Sequence, residues 1–142
     1  MTDAPSHHLV LYVEDEENDR FLVDYAFKRA SPKLVLITAK DGEEAIQWLM
    51  ARSGPRSEES SQICCVLLDL NLPRKNGFEV LAWIRQQPCY KALPVIVFTS
   101  SDHPTDRERA LSLGATRFEV KTGHYQDYER LAQSLESPDE PQ

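Results

Sequence analysis

Five short apolar runs, each followed by a segment with apolar positions at helical spacing, divide this chain into five strand–helix units. Runs that are apolar throughout, of which Ile63-Cys64-Cys65-Val66-Leu67-Leu68 is the clearest, need both faces covered. A parallel sheet sandwiched between helices supplies that cover. The pattern therefore predicts an α/β fold, a doubly wound three-layer sandwich. Parallel strands deliver their carboxyl ends to one edge of the sheet, where ligands of such folds bind. Polar residues that directly follow the strands are thus the first candidates for function.

The first strand is expected at 9–13, followed by an acidic turn and a helix capped by Asn18 or Asp19, with Phe21, Leu22, Tyr25 and Ala26 facing inward. Ser31-Pro32 ends that helix. A second strand at 34–38 leads through Asp41-Gly42 into a helix that buries Ala45, Trp48 and Leu49. Residues 52–62, polar and carrying Gly54 and Pro55, read as a long surface loop. The third strand, 63–68, precedes a helix from about Phe78 that buries Phe78, Leu81 and Ile84 and stops before Pro88. After a fourth strand at 95–99, Pro104 starts a helix with Ala110 and Leu113 inward and Gly114 as its C-cap. A short strand at 117–120 and a helix presenting Tyr125, Tyr128, Leu131 and Leu135 complete the series. The expected organisation is one domain over 9–136, with a flexible tail at 1–8 and a disordered tail at 137–142.

With 142 residues, a single core is expected and an attached output domain is not. A net charge of −7 without a basic cluster argues against nucleic acid or an anionic membrane as partner and favours a protein. No stretch approaches the roughly 18 consecutive apolar residues of a membrane span, and the polar start does not read as a signal peptide. The expected location is the cytoplasm. Cys64 and Cys65, neighbours in one strand, are expected to be small buried hydrophobes on opposite faces, with Cys89 at the surface. The four histidines form no metal-binding pattern.

The predicted strands run into Glu14-Asp15, into Asp69 and into Lys121, and the fourth ends in Thr99, Ser100 and Ser101. These residues are far apart in sequence, yet one sheet edge would gather them. Each like-charged carboxylate pair at ~4 Å costs on the order of 4 kcal/mol at an effective dielectric of 20, so a counter-charge is required. An all-oxygen donor set suits Mg²⁺, and Lys121 adds a mobile point charge suited to a phosphoryl oxygen. Carboxylate, hard cation, hydroxyl and ammonium together describe phosphoryl transfer to an aspartate.

At these residues the chain resembles the receiver domain of two-component response regulators. Asp69, Pro73 and Gly77 complete the family phrase Asp-x-x-x-Pro-x-x-x-Gly, which makes Asp69 the implied phosphoacceptor. The resemblance implies a flavodoxin-like (βα)5 sandwich with a parallel sheet of order 2-1-3-4-5. It implies Mg²⁺ held by Asp15, Asp69 and the backbone carbonyl of Asn71, with Glu14 supporting through water. Thr99 takes the place of the switch hydroxyl, Phe118 that of the switch aromatic, and Lys121 that of the family's lysine. The implied donor is a histidine kinase. The implied output is a conformational switch read by a downstream protein or a homodimer, on the face made by the helix from Pro104, the strand at Phe118 and the last helix. A narrower likeness to stand-alone receivers that partner bacterial phytochrome kinases rests on the 52–62 loop and the phrases at 68–77 and 93–101.

The chain departs from the family in two places, and two of its residues fall at positions that vary within it. Thr122 stands where most receivers carry a proline on a cis bond, which leaves the placement of Lys121 open. Phe118 lacks the hydroxyl of the usual tyrosine. Asn71 and Ser101 occupy the positions that tune phosphoryl lifetime in the family. Two rival readings use the same residues: a metal-dependent phosphatase with an aspartate nucleophile, and a degenerate receiver that acts only as a protein-binding scaffold. No Gly-x-x-x-x-Gly-Lys-Ser/Thr occurs, so a P-loop nucleotide enzyme is excluded.

Overall fold

The computed structural model describes residues 8–53 and 63–136; the tails at 1–7 and 137–142 and most of the 52–62 loop lie outside the described residues. Strands β1 (His8–Val13), β2 (Leu34–Ala39), β3 (Ile63–Leu68), β4 (Val95–Thr99) and β5 (Arg117–Val120) alternate with helices α1 (Glu17–Ala30), α2 (Gly42–Ala51), α3 (Gly77–Gln86), α4 (Pro104–Ser112) and α5 (Tyr125–Glu136). The sheet is parallel throughout, in the order β2-β1-β3-β4-β5. The expected flavodoxin-like topology is thus the observed one.

Alternation along the strands divides the interior into two layers. Leu11, Val13, Val66, Leu68, Val95 and Val97 pack with α2 and α3 on one face, and Val10, Tyr12, Leu67, Ile96 and Phe98 pack with α1 and α5 on the other. Cys64 and Cys65 do not oppose each other as expected. Both pack against the α1 and α5 layer, because the β1–β3 pairing steps from Leu9↔Ile63 to Val10↔Cys65 and an irregularity there takes up one residue. Cys89 is exposed.

Two helices turn differently from their expected faces. The N-cap of α1 is Glu16, so Asn18 and Asp19 lie inside the first turn. Its buried residues are Val23, Ala26 and Phe27, whereas Phe21 and Tyr25 are 73% and 48% exposed. Phe21 and Tyr25 stack on each other outside the core, and Tyr25 packs against Tyr125. In α3 the capping box of Asn76 and Glu79 starts the helix one residue earlier, and Val80, Leu81 and Ile84 form the buried stripe. Phe78 is only half-buried and lies beneath the guanidinium of Arg109. In α5, Tyr128, Leu131 and Leu135 are buried and Tyr125 packs half-buried against the same layer, which is the face expected from the sequence. None of the described helices is long and apolar enough to cross a membrane.

Candidate functional site

Strand register brings the candidate residues together. Val13 pairs with Leu68, and Leu68 with Val97, so Glu14 and Asp69 leave the sheet at the same level. The Glu14 amide donates to the Ala39 carbonyl at 2.9 Å, and the Asp69 amide to the Val13 carbonyl at 3.1 Å. The Lys121 amide donates to the Thr99 carbonyl at 2.7 Å, which ties the far strand to the same edge.

The turn after Asp69 is fixed by its own backbone. The Asn71 amide donates to Asp69 Oδ1 at 3.3 Å, and the Gly77 amide reaches the Leu70 carbonyl at 3.0 Å. A Cβ on Gly77 would lie 2.3 Å from the Asp69 carbonyl oxygen. The glycine of the family phrase is therefore a close backbone approach that lets α3 begin directly behind the carboxylate. Arg74, at φ 69°, closes the turn in the left-handed region and pairs with Asp41 at 3.4 Å.

Lys121 is the counter-charge of the cluster. Its ammonium donates to Glu14 Oε1, to Asp19 Oδ2 at 3.0 Å and to Asp69 Oδ2 at 3.4 Å. The lysine side chain is 8% exposed, Glu14 1% and Asp69 7%. Burial alone would drive the ammonium toward its neutral form, but hydrogen bonding to Glu14 and the charges of Asp69 and Glu14 outweigh it and raise its pKa. Burial pushes the Glu14 carboxyl up to about 7, with Lys121 opposing and Asp69 adding to the rise. A site that holds three acids against one lysine retains excess negative charge at its mouth.

Glu14, Asp15 and Asp69 each offer an oxygen within 4.8 Å of the others. Glu14 has both oxygens engaged, one by Lys121 and the other by the Glu16 amide at 3.1 Å. Asp15 is exposed and, with Asn71, Pro73, Asn76 and Arg109, lines a cavity of about 470 Å³. These are hard oxygen donors, and they fit a divalent cation that keeps part of its water.

Thr99 is fully buried, and its hydroxyl accepts the Ser101 amide at 3.4 Å. Ser101 in turn donates to Asp106 on α4 at 2.6 Å. Phe118 is 9% exposed, with the Arg107 guanidinium 5.7 Å from its ring centre. The structure thus gathers Glu14, Asp15, Asp69 and Lys121 at one point. Thr99 ends the neighbouring strand, and Phe118 lies two residues before it in the β4–β5 register, opposite Val97.

The loop after Lys121 is ordered without a proline. Among the described residues there is no cis peptide bond, so Lys121–Thr122 is trans. The Thr122 hydroxyl donates to Asp127 at 2.7 Å and accepts the His124 amide at 3.1 Å. The Gly123 amide, at φ 82°, donates to the Tyr128 hydroxyl at 3.1 Å. Two residues of the site carry no signal at strand ends: Asp19, which reaches Lys121 from the first turn of α1, and Arg109, which reaches the cavity from α4. Their distance from the strands hides them in the sequence.

Fold, acidic edge and lysine define the class, and comparison with known proteins agrees. The response regulator receiver domain family matches residues 10–133, and the chain belongs to that family. It is 35% identical to the response regulator Rcp1 of Synechocystis sp. over 129 residues, covering 91% of this chain and 86% of Rcp1. The Mn²⁺-bound crystal structure of Rcp1 superposes with a TM-score of 0.75 over 92% of each chain. The phosphorylated cyanobacterial phytochrome response regulator RcpA is 30% identical, with a TM-score of 0.77 over 92% of each chain. RPA3017, a response regulator in red light signaling of R. palustris, is also 30% identical, with a TM-score of 0.77 over 92% of each chain.

Proposed function

We propose that Asp69 accepts a phosphoryl group from a histidine kinase and that the chain relays the signal through its α4, β5 and α5 face. The observation that carries this reading is the Lys121 ammonium lying against Asp69 and Glu14 at the carboxyl edge of the sheet. In the transfer, the phosphorus–nitrogen bond of a phosphohistidine breaks, its electron pair returns to the imidazole, and a carboxylate oxygen of Asp69 forms the new phosphorus–oxygen bond. Lys121 neutralises charge that develops on the phosphoryl oxygens. Mg²⁺, held by Asp15, Asp69 and the Asn71 carbonyl with Glu14 in support, would supply further positive charge to those oxygens.

Phosphorylation would bias two arrangements of Thr99 and Phe118. Thr99 is joined through Ser101 to Asp106 on α4, and Phe118 lies beside Arg107 of the same helix. That supports α4 as the element that carries the change to a downstream protein or a second copy of the chain. RcpA is a phytochrome response regulator and RPA3017 acts in red light signaling, and likeness to both supports a phytochrome-type kinase as the donor. Against a phosphatase, the position two residues beyond Asp69 carries Asn71 and not a second acid.

Incubation with acetyl phosphate or a labelled kinase and Mg²⁺ tests the reading. One phosphoryl group per chain is expected, and none on Asp69→Asn. Retained labelling of that variant would overturn the assignment.

A further inference from the structure

Lys121 has three N–H bonds, and three carboxylates occupy them: Glu14, Asp19 and Asp69. An ammonium so engaged has no donor left for a phosphoryl oxygen arriving on Asp69. One of the three acceptors must yield.

Their surroundings differ enough to decide which. Glu14 is 1% exposed and also holds the Glu16 amide, so turning it away would break two contacts in a buried place. Asp69 is the group being modified. Asp19 is 36% exposed, its link to Lys121 is its only side-chain hydrogen bond among the described residues, and water can solvate it once released. At 3.0 Å it also lies closer to the ammonium than Asp69, at 3.4 Å.

We propose that Asp19 is a positioning residue that competes with the phosphoryl group for the Lys121 ammonium and so limits how tightly the phosphorylated site is held. The proposal rests on the phosphoacceptor reading of Asp69. The tie of Asp19 to the site is the hydrogen bond to Lys121, and through that ammonium it would act. Because it belongs to the first turn of α1, its release also removes a tie between that helix and the loop after β5.

Beryllofluoride, a phosphoryl analogue, tests this by calorimetric titration of the full chain in saturating Mg²⁺. Asp19→Ala is expected to bind the analogue about two- to tenfold tighter than the unaltered chain. Asp19→Asn, which keeps an acceptor oxygen, is expected to gain less. In a Lys121→Met background the gain from Asp19→Ala should vanish, because the contested donor is gone. A gain that persists in full without Lys121 would mean only the removal of a repelling charge, and would overturn the proposal. Unchanged or weaker binding by Asp19→Ala would overturn it as well. Failure of the unaltered chain to bind the analogue would overturn the phosphoacceptor reading, and this inference with it. Thermal melting separates these outcomes from a change in α1, since a purely structural role would lower stability without coupling to Lys121.

Discussion

The α-carbon of Gly77 stands so close to the backbone carbonyl of Asp69 that a Cβ there would lie 2.3 Å from its oxygen. The start of α3 and the candidate phosphoacceptor turn are therefore one rigid unit, and the missing side chain permits it. Gly77→Ala should cost about 1–3 kcal/mol through the forced backbone shift. It should also displace the Asp69 turn and slow labelling by acetyl phosphate. Denaturant unfolding and the labelling rate check both effects; an alanine variant unchanged in both would show that the contact relaxes freely.

A second prediction concerns alkaline pH. The Tyr90 hydroxyl, 2% exposed, donates to the Leu49 carbonyl at 2.7 Å and ties the end of α2 to the segment before β4. Burial and the nearby Cys89 push its pKa up to about 12 from 10.0, with Arg52 opposing. Because the folded value lies above the unfolded one, the contribution of Tyr90 is complete below about pH 10 and is lost as pH rises through about 12. The unaltered chain should lose on the order of 2–3 kcal/mol more than Tyr90→Phe across that window. Leu49 also accepts the Arg52 amide at 3.1 Å, so at neutral pH the substitution should cost only about 0.5–1.5 kcal/mol. Equal alkaline slopes for the two proteins would remove Tyr90 from the account.

Strands were readable from sequence because a strand covered on both faces must be apolar along its whole length, and at β3 and β4 the apolar run and the strand coincide. Residues that follow a strand inherit that certainty, which is why Glu14, Asp15, Asp69, Thr99 and Lys121 could be placed on one edge. Helix rotation is different. The 14 residues of α1 carry two apolar stripes, Phe21–Tyr25 and Val23–Ala26–Phe27, and both satisfy helical spacing. Only the position of α5 and the sheet decides between them. Asp19 and Arg109 escaped for the same reason, since a helical side chain reaches the site only if its helix is turned toward it.

The choice of stripe can be measured directly. Phe21 is 73% exposed and Phe27 is 1% exposed. Phe21→Ser should change stability by no more than about 0.5 kcal/mol, whereas Phe27→Ala should cost about 3–5 kcal/mol. The reverse ranking in chemical denaturation would restore the face expected from the sequence.

The last prediction separates the structural work of Lys121 from its chemistry. Glu14 and Asp69, 1% and 7% exposed at their side chains, share the ammonium as their only cationic partner among the described residues. Lys121→Met leaves both carboxylates buried with their repulsion uncompensated, and a broken buried pair of this kind costs about 3–5 kcal/mol. Part of that loss falls on protonation instead, because Glu14 already sits near pH 7 and takes up a proton more readily once the cation is gone. The deficit in metal-free buffer should therefore be larger at pH 8.5 than at pH 6. A divalent cation would meet the same excess of negative charge, now without a competing ammonium, so Mg²⁺ should bind the variant more tightly than the unaltered chain. At a hundredfold excess over its dissociation constant it should return about 2.7 kcal/mol. Thermal melts with and without Mg²⁺ at the two pH values check this, and a variant that Mg²⁺ does not stabilise beyond the unaltered chain would show that Lys121 does not share its oxygens with a metal.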